Sequence, residues 1–81
     1  MREVFNTPGS SRIEKVIFDP DNRDITIIFK GNKIYKYVSV SEFDFNTFKD
    51  DIERGLSVGK SFERRIRNKY AGQSYEKVLH T

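Results

Sequence analysis

At 81 residues, with 36% hydrophobic and 14% aromatic content, the chain has room for one domain with a lean core: a single sheet under a single helical layer. It contains no cysteine, which excludes disulfides and thiolate metal sites and fits a reducing, cytoplasmic compartment, and no apolar run approaches a signal peptide or a membrane span. Fifteen Lys and Arg stand against twelve Asp and Glu; residues 1–54 hold nine positive and ten negative charges and residues 55–81 six and two, so a polyanion would be drawn to the last third.

Residues 1–10, running into Pro8-Gly9-Ser10-Ser11, read as an irregular lead-in. Residues 12–18, RIEKVIF, read as the first strand. Its alternation is blurred by the adjacent Val16, Ile17 and Phe18, which implies cover on both faces or a bulge. Asp19-Pro20-Asp21-Asn22 is a turn: proline sets φ, and the Asp and Asn side chains can bond their own backbone.

Residues 25–38, ITIIFKGNKIYKYV, read as a β-hairpin with β-branched and aromatic arms. Gly31-Asn32 predicts a two-residue loop, because Gly31 can supply the positive φ of a type II′ turn. That loop would place Ile25, Ile27, Phe29, Ile34, Val38 and Lys36 on one face. Thr26, Ile28, Lys30, Lys33, Tyr35 and Tyr37 would occupy the other. The first set reads as the core face; a slip of one residue would exchange the roles.

Beyond Val40 the period becomes helical. Ser41 with Asp44 three residues on resembles a helix start, and Phe45, Phe48 and Ile52 form an apolar stripe that ends at Gly55. A second helix is expected from about residues 57–61 to Tyr70, apolar on Phe62, Ile66 and Tyr70 and polar on Lys60, Arg64, Arg67 and Asn68. Residues 71–81 are a tail or a short added segment through Tyr75, Val78 and Leu79. The whole is a single α+β domain, with a core of about residues 11–70: a three-stranded antiparallel meander and two C-terminal helices packed on one face. The other face would lie open and present Tyr35 and Tyr37.

The central Tyr35-Lys36-Tyr37 resembles the Tyr-x-Tyr signature of the KTSC domain, a short module named for the C-terminus of some lysyl-tRNA synthetases and also found as free-standing bacterial and phage proteins. The resemblance runs from Ser11 to Tyr70 through Ile13, Phe18-Asp19, Ile25, Ile27, Phe29, Val40, Ser57-x-Gly59-Lys60-x-Phe62, Ile66-Arg67 and Tyr70. The chain departs from the family pattern at Ser41, where a proline is usual, and is a few residues longer around positions 52–56. The resemblance implies an RNA-binding lean and little about activity.

Two groups of residues suggest binding. Tyr35 and Tyr37 with Lys30, Lys33 and Lys36 have the composition of a stacking platform for single-stranded nucleic acid, where each stacked base is worth about 1–3 kcal/mol. The same tyrosines also suit a strand packed under a terminal segment or in a homodimer through the open sheet face. The second group is Gly59, Lys60 and Ser61 at a helix start, with Arg64 and Arg67 following, which could hold a phosphate; the alternative is a solvated helix face. Gly59-Lys60-Ser61 is no Walker A loop, since the spacing from Gly55 is one residue short and a helix precedes it.

No catalytic or metal-ligating set emerges. The lone histidine, His80, lies next to the C-terminus, and Asp50, Asp51 and Glu53 diverge around a helix. The expectation is a non-catalytic binding module without cofactor or membrane partner. Its ligand would be RNA or single-stranded nucleic acid; the alternatives are a small nucleotide second messenger and a protein-interaction or dimerisation role.

Overall fold

A computed structural model describes residues 2–74. Its strands are β1 (Glu3–Asn6), β2 (Ile13–Asp19), β3 (Asp24–Phe29), β4 (Lys33–Tyr37) and a two-residue β5 (Gln73–Ser74). Helices α1 (Glu42–Glu53) and α2 (Val58–Phe62) follow β4, and α2 continues directly into a π-helical turn (Glu63–Arg67). The strands form one antiparallel sheet in the order β1-β2-β3-β4-β5.

The α+β class, the meander and the two-helix layer agree with the sequence reading, but the expected three-stranded sheet does not. Four strands of four to seven residues make up its body, and β5 adds a short pairing at the β4 edge. The missed strand is β1, which lies inside the supposed lead-in. Four residues carry too little alternation to declare a strand, and β1 is held by its neighbours instead. Phe5 packs edge-on to Phe18 with ring centroids 5.5 Å apart, and Glu3 pairs with Lys49 of α1. In the tail, residues 73–74 pair with β4, while Tyr75, Val78, Leu79 and His80 fall outside the described residues.

The hairpin register also differs by one residue. Phe29 pairs with Lys33, Ile27 with Tyr35 and Ile25 with Tyr37, so the loop is three residues, 30–32. Both Gly31 and Asn32 have positive φ, 92° and 66°, and Lys30 N–H donates to the Arg12 carbonyl rather than across the hairpin. Tyr35 and Tyr37 therefore share the helix-facing side with Ile25, Ile27 and Phe29. Lys36 moves to the opposite face, beside the carboxylate of Asp24 at 3.4 Å. The turn preference of Gly-Asn is outweighed: the two-residue register would turn Lys36 toward the helices and Tyr37 toward solvent.

The core lies between the sheet and the helices. Phe18 meets Phe45 and Phe48 of α1 at 5.2 and 5.6 Å, and Phe62 meets Phe29, Tyr37 and Phe48 at 5.7, 5.6 and 6.4 Å. Ile13, Val16, Ile25, Ile27, Val40 and Ile66 are fully buried between them. The opposite sheet face carries Val4, Ile17, Thr26, Ile28 and Ile34 together with Lys15 and Lys36, where the sequence reading puts tyrosines; Ile34 thus leaves the expected core face, and Val38 is exposed rather than in the core.

Helix signals in the sequence are realised closely. Ser41 caps α1, its Oγ accepting from Asp44 N–H at 3.2 Å, and Gly55 follows the last turn with φ 79°. The second helix keeps Phe62 and Ile66 inward, but its middle is a π turn in which Asn68 N–H donates to the Glu63 carbonyl five residues back. Among the described residues, no helix is long and apolar enough to cross a membrane.

Candidate nucleotide-binding groove

The one-residue shift in the hairpin decides where the site lies. On the helix-facing side of β4, Lys33, Tyr35 and Tyr37 point toward α2 and the π turn. Phe29 crosses from β3 with its ring edge-on to Tyr35, centroids 5.7 Å apart and planes at 89°. Phe62 closes the inner end against Phe29 and Tyr37. With Arg12, which immediately precedes β2, and Arg67 from the π turn, these residues line an open groove of about 340 Å³.

Its floor is aromatic and its rim cationic. Tyr37 is buried, and burial pushes its hydroxyl above the ordinary value, with Arg67 pulling the other way. Tyr35 is half-buried, leaving part of its ring available. At the mouth, Glu63 accepts from Arg67 Nη1 at 2.6 Å and from Arg12 Nη2 at 3.0 Å. Arg67, then Arg12, hold this carboxyl below its usual range, and Glu63 in turn raises Arg67. One guanidinium from 51 residues away in the chain and one from the next turn are thereby held on a single carboxylate beside the groove.

The π turn contributes to this placement. In its wider winding, where the backbone hydrogen bond spans five residues, Ile66 lies in the core and Arg67 stands at the groove.

Of the residues singled out from sequence, Tyr35, Tyr37, Lys33 and Arg67 come together here, on the helix-facing side rather than the open sheet face. The others do not join them. Lys36 is on the far side of the sheet with Asp24, and Lys30 reaches back to the Pro8 carbonyl at 3.4 Å. Ser61 is buried, its Oγ donating to Asp51 at 2.6 Å. Arg64 is turned the same way, 3.9 Å from Asp51, and Arg65 Nε donates to that carboxylate at 3.2 Å.

At the expected phosphate cradle of Gly59, Lys60 and Ser61, the buried Ser61 hydroxyl serves as a structural joint, while Gly59 and Lys60 lie on the first turn of α2 outside the groove. Ser57 Oγ caps the Lys60 N–H, and Ser61 N–H is bonded to the Ser57 carbonyl. Asp51 binds the second helix to the first; Ser61 lowers its carboxyl against the upward push of burial, and Arg65 and Arg64 lower it further.

Sequence reasoning missed Arg12 and Glu63 as site residues and assigned Phe29 and Phe62 to the core alone. The Glu63-Arg67 spacing of four was a legible ion-pair signal. Nothing local linked Arg12 to it, because that pairing spans the fold. Among the described residues, no group of three or more His, Cys, Asp or Glu side chains could hold a metal ion.

The KTSC domain family profile matches residues 9–70, the span that contains every residue of this groove. The chain belongs to the KTSC domain family. The crystal structure of a KTSC domain protein from Yersinia pestis is similar to this KTSC domain with a TM-score of 0.71 and 26% identity, over 90% of this chain and 96% of that one. No curated protein matches the chain.

Proposed function

We propose that this KTSC domain is a non-catalytic binding module for RNA or another single-stranded nucleic acid, taking one nucleotide at a time into the groove. The observation that carries this reading is the joining of an aromatic floor, Phe29, Tyr35, Tyr37 and Phe62, to a rim holding Lys33, Arg12 and Arg67. A base has a face for the exposed part of Tyr35 and an edge for the ring bounding the groove, while its phosphate meets the guanidiniums. A cytoplasmic setting, argued from the lack of cysteine, suits such a ligand.

A second reading, capture of a compact nucleotide second messenger by a free-standing bacterial or phage protein, is favoured by one observation. The groove's cations are gathered at one place, whereas Arg64 and Arg65 turn away to Asp51 and do not extend them into a track.

Titration of labelled short oligonucleotides and of mononucleotides against wild type, Tyr35→Ala and Arg67→Ala tests both readings. Binding that weakens in both variants, and falls steeply with salt for the oligonucleotide, supports the strand version. Tight mononucleotide binding with a shallow salt slope supports the messenger version. Ligand binding that ignores both substitutions removes the groove from consideration.

A further inference from the structure

Glu63 Oε1 is the point on which two guanidiniums converge. Arg12 Nη2 lies 3.0 Å from it and Arg67 Nη1 2.6 Å, the latter also 3.1 Å from Oε2. The carboxylate is the most covered of the three side chains, 29% exposed against 48% for Arg12 and 60% for Arg67, so it occupies the inner position between its partners. Two forked donors from distant parts of the chain, meeting on one oxygen beside an aromatic groove, form the surroundings in which proteins hold a phosphate oxygen. Here the chain supplies the anion itself.

Granted the nucleotide-binding reading above, we infer that the place of Glu63 Oε1 is the phosphate subsite of the groove, held by Glu63 until a ligand arrives, and that binding exchanges this carboxylate for a ligand phosphate. The guanidiniums are kept in place and charge-paired beforehand, which spares them a disordered search for the ligand. The cost is competition, since a carboxylate tethered a few ångströms away has a high effective concentration. A phosphate wins the exchange only when a base is seated at the same time, so phosphate and base are read together.

The exchange has a definite sign. Glu63→Gln keeps the side chain's shape and removes its charge, so a nucleoside monophosphate or a short oligonucleotide should bind about tenfold more tightly, as expected for loss of a competing charge-assisted hydrogen bond. The matching nucleoside, which has no phosphate, should bind wild type and variant alike. Glu63→Ala should shift affinity in the same direction, and thermal melts of both variants establish that they are folded.

Affinities measured by calorimetry for the nucleoside, its monophosphate and the oligonucleotide separate the outcomes. A gain confined to the phosphate-bearing ligands supports the exchange, and the ligand that gains more tells a free nucleotide from a strand. Weaker or unchanged phosphate binding in Glu63→Gln, with Arg67→Ala still impairing wild-type binding, overturns the exchange and leaves the groove reading standing, with Glu63 merely positioning the arginines. Failure of all three ligands to bind wild type and both Glu63 variants overturns the inference and the groove reading together.

Discussion

Gly72 lies against the ring of Tyr37: a methyl group on its Cα would stand 2.6 Å from Cζ and 2.7 Å from both Cε2 and the hydroxyl oxygen. The ring has little room to yield, because Tyr37 is buried and packs edge-on to Phe62. The glycine is needed for this close approach, which lets the chain after the second helix come up beside β4 and form the Tyr35-Ser74 pairing. Gly72→Ala should therefore destabilise the domain by about 1–3 kcal/mol, the range for overpacking a filled site. Thermal and urea melts check this. In combination with Tyr37→Leu, the alanine should cost less than the sum of the two changes, since the clash has been removed.

The groove cations and two other lysines singled out from sequence, Lys30 and Lys36, should separate cleanly in binding. Arg67→Ala, Arg12→Ala and Lys33→Ala each remove a groove charge and should weaken binding of a single-stranded oligonucleotide. Each phosphate that is no longer neutralised should lower the slope of log affinity against log salt by about 0.7. Lys36→Ala and Lys30→Ala should leave both affinity and slope nearly unchanged, because Lys36 sits across the sheet with Asp24 and Lys30 beside the Pro8 carbonyl. Equal weakening across all five variants would point to a diffuse basic surface instead of a groove.

The helices were more legible in the sequence than the site because helix signals are local. Ser41, the stripe of Phe45 and Phe48, and Gly55 each act within a turn or two of their neighbours, and each is found where its chemistry puts it. The hairpin was recognisable as a hairpin, but its register depended on a competition that no local pattern displays. The preference of Gly31-Asn32 for a short loop was set against burial of Tyr37 beneath Phe62, a residue from the second helix that the hairpin meets only in the finished fold. That one residue of register moved the tyrosines from an open face to a groove. Strand β1 was hidden for a related reason, since Phe5 and Glu3 are stabilised by Phe18 and Lys49 rather than by their own pattern.

Ser61 distinguishes a joint from a ligand site. Its buried hydroxyl donates to Asp51 at 2.6 Å, so Ser61→Ala removes a donor to a buried carboxylate and should cost about 1–3 kcal/mol of stability. Oligonucleotide affinity, measured well below the melting temperature, should match wild type. A marked drop in affinity with unchanged stability would return Ser61 to the phosphate site.

Acid sensitivity should trace to two buried aspartates. Burial works to raise the Asp44 carboxyl, but hydrogen bonds from Lys69, Tyr70 and Ser41 hold it below its ordinary value of 3.8. At Asp51 the hydrogen bond from Ser61 lowers the carboxyl, burial opposes it, and Arg65 and Arg64 add to the lowering. A carboxyl with a depressed folded-state pKa binds protons more readily in the unfolded chain. Its contribution is therefore fully present above the unfolded value, about pH 4, and drains away as pH falls through the lower folded value. Wild type should hold a flat melting temperature from about pH 7 to about pH 5 and lose stability steeply below about pH 4. Asp51→Asn should begin less stable at neutral pH and show a shallower acid decline, because one buried linked proton is gone. A decline as steep as that of wild type would assign the acid sensitivity to carboxylates other than Asp51.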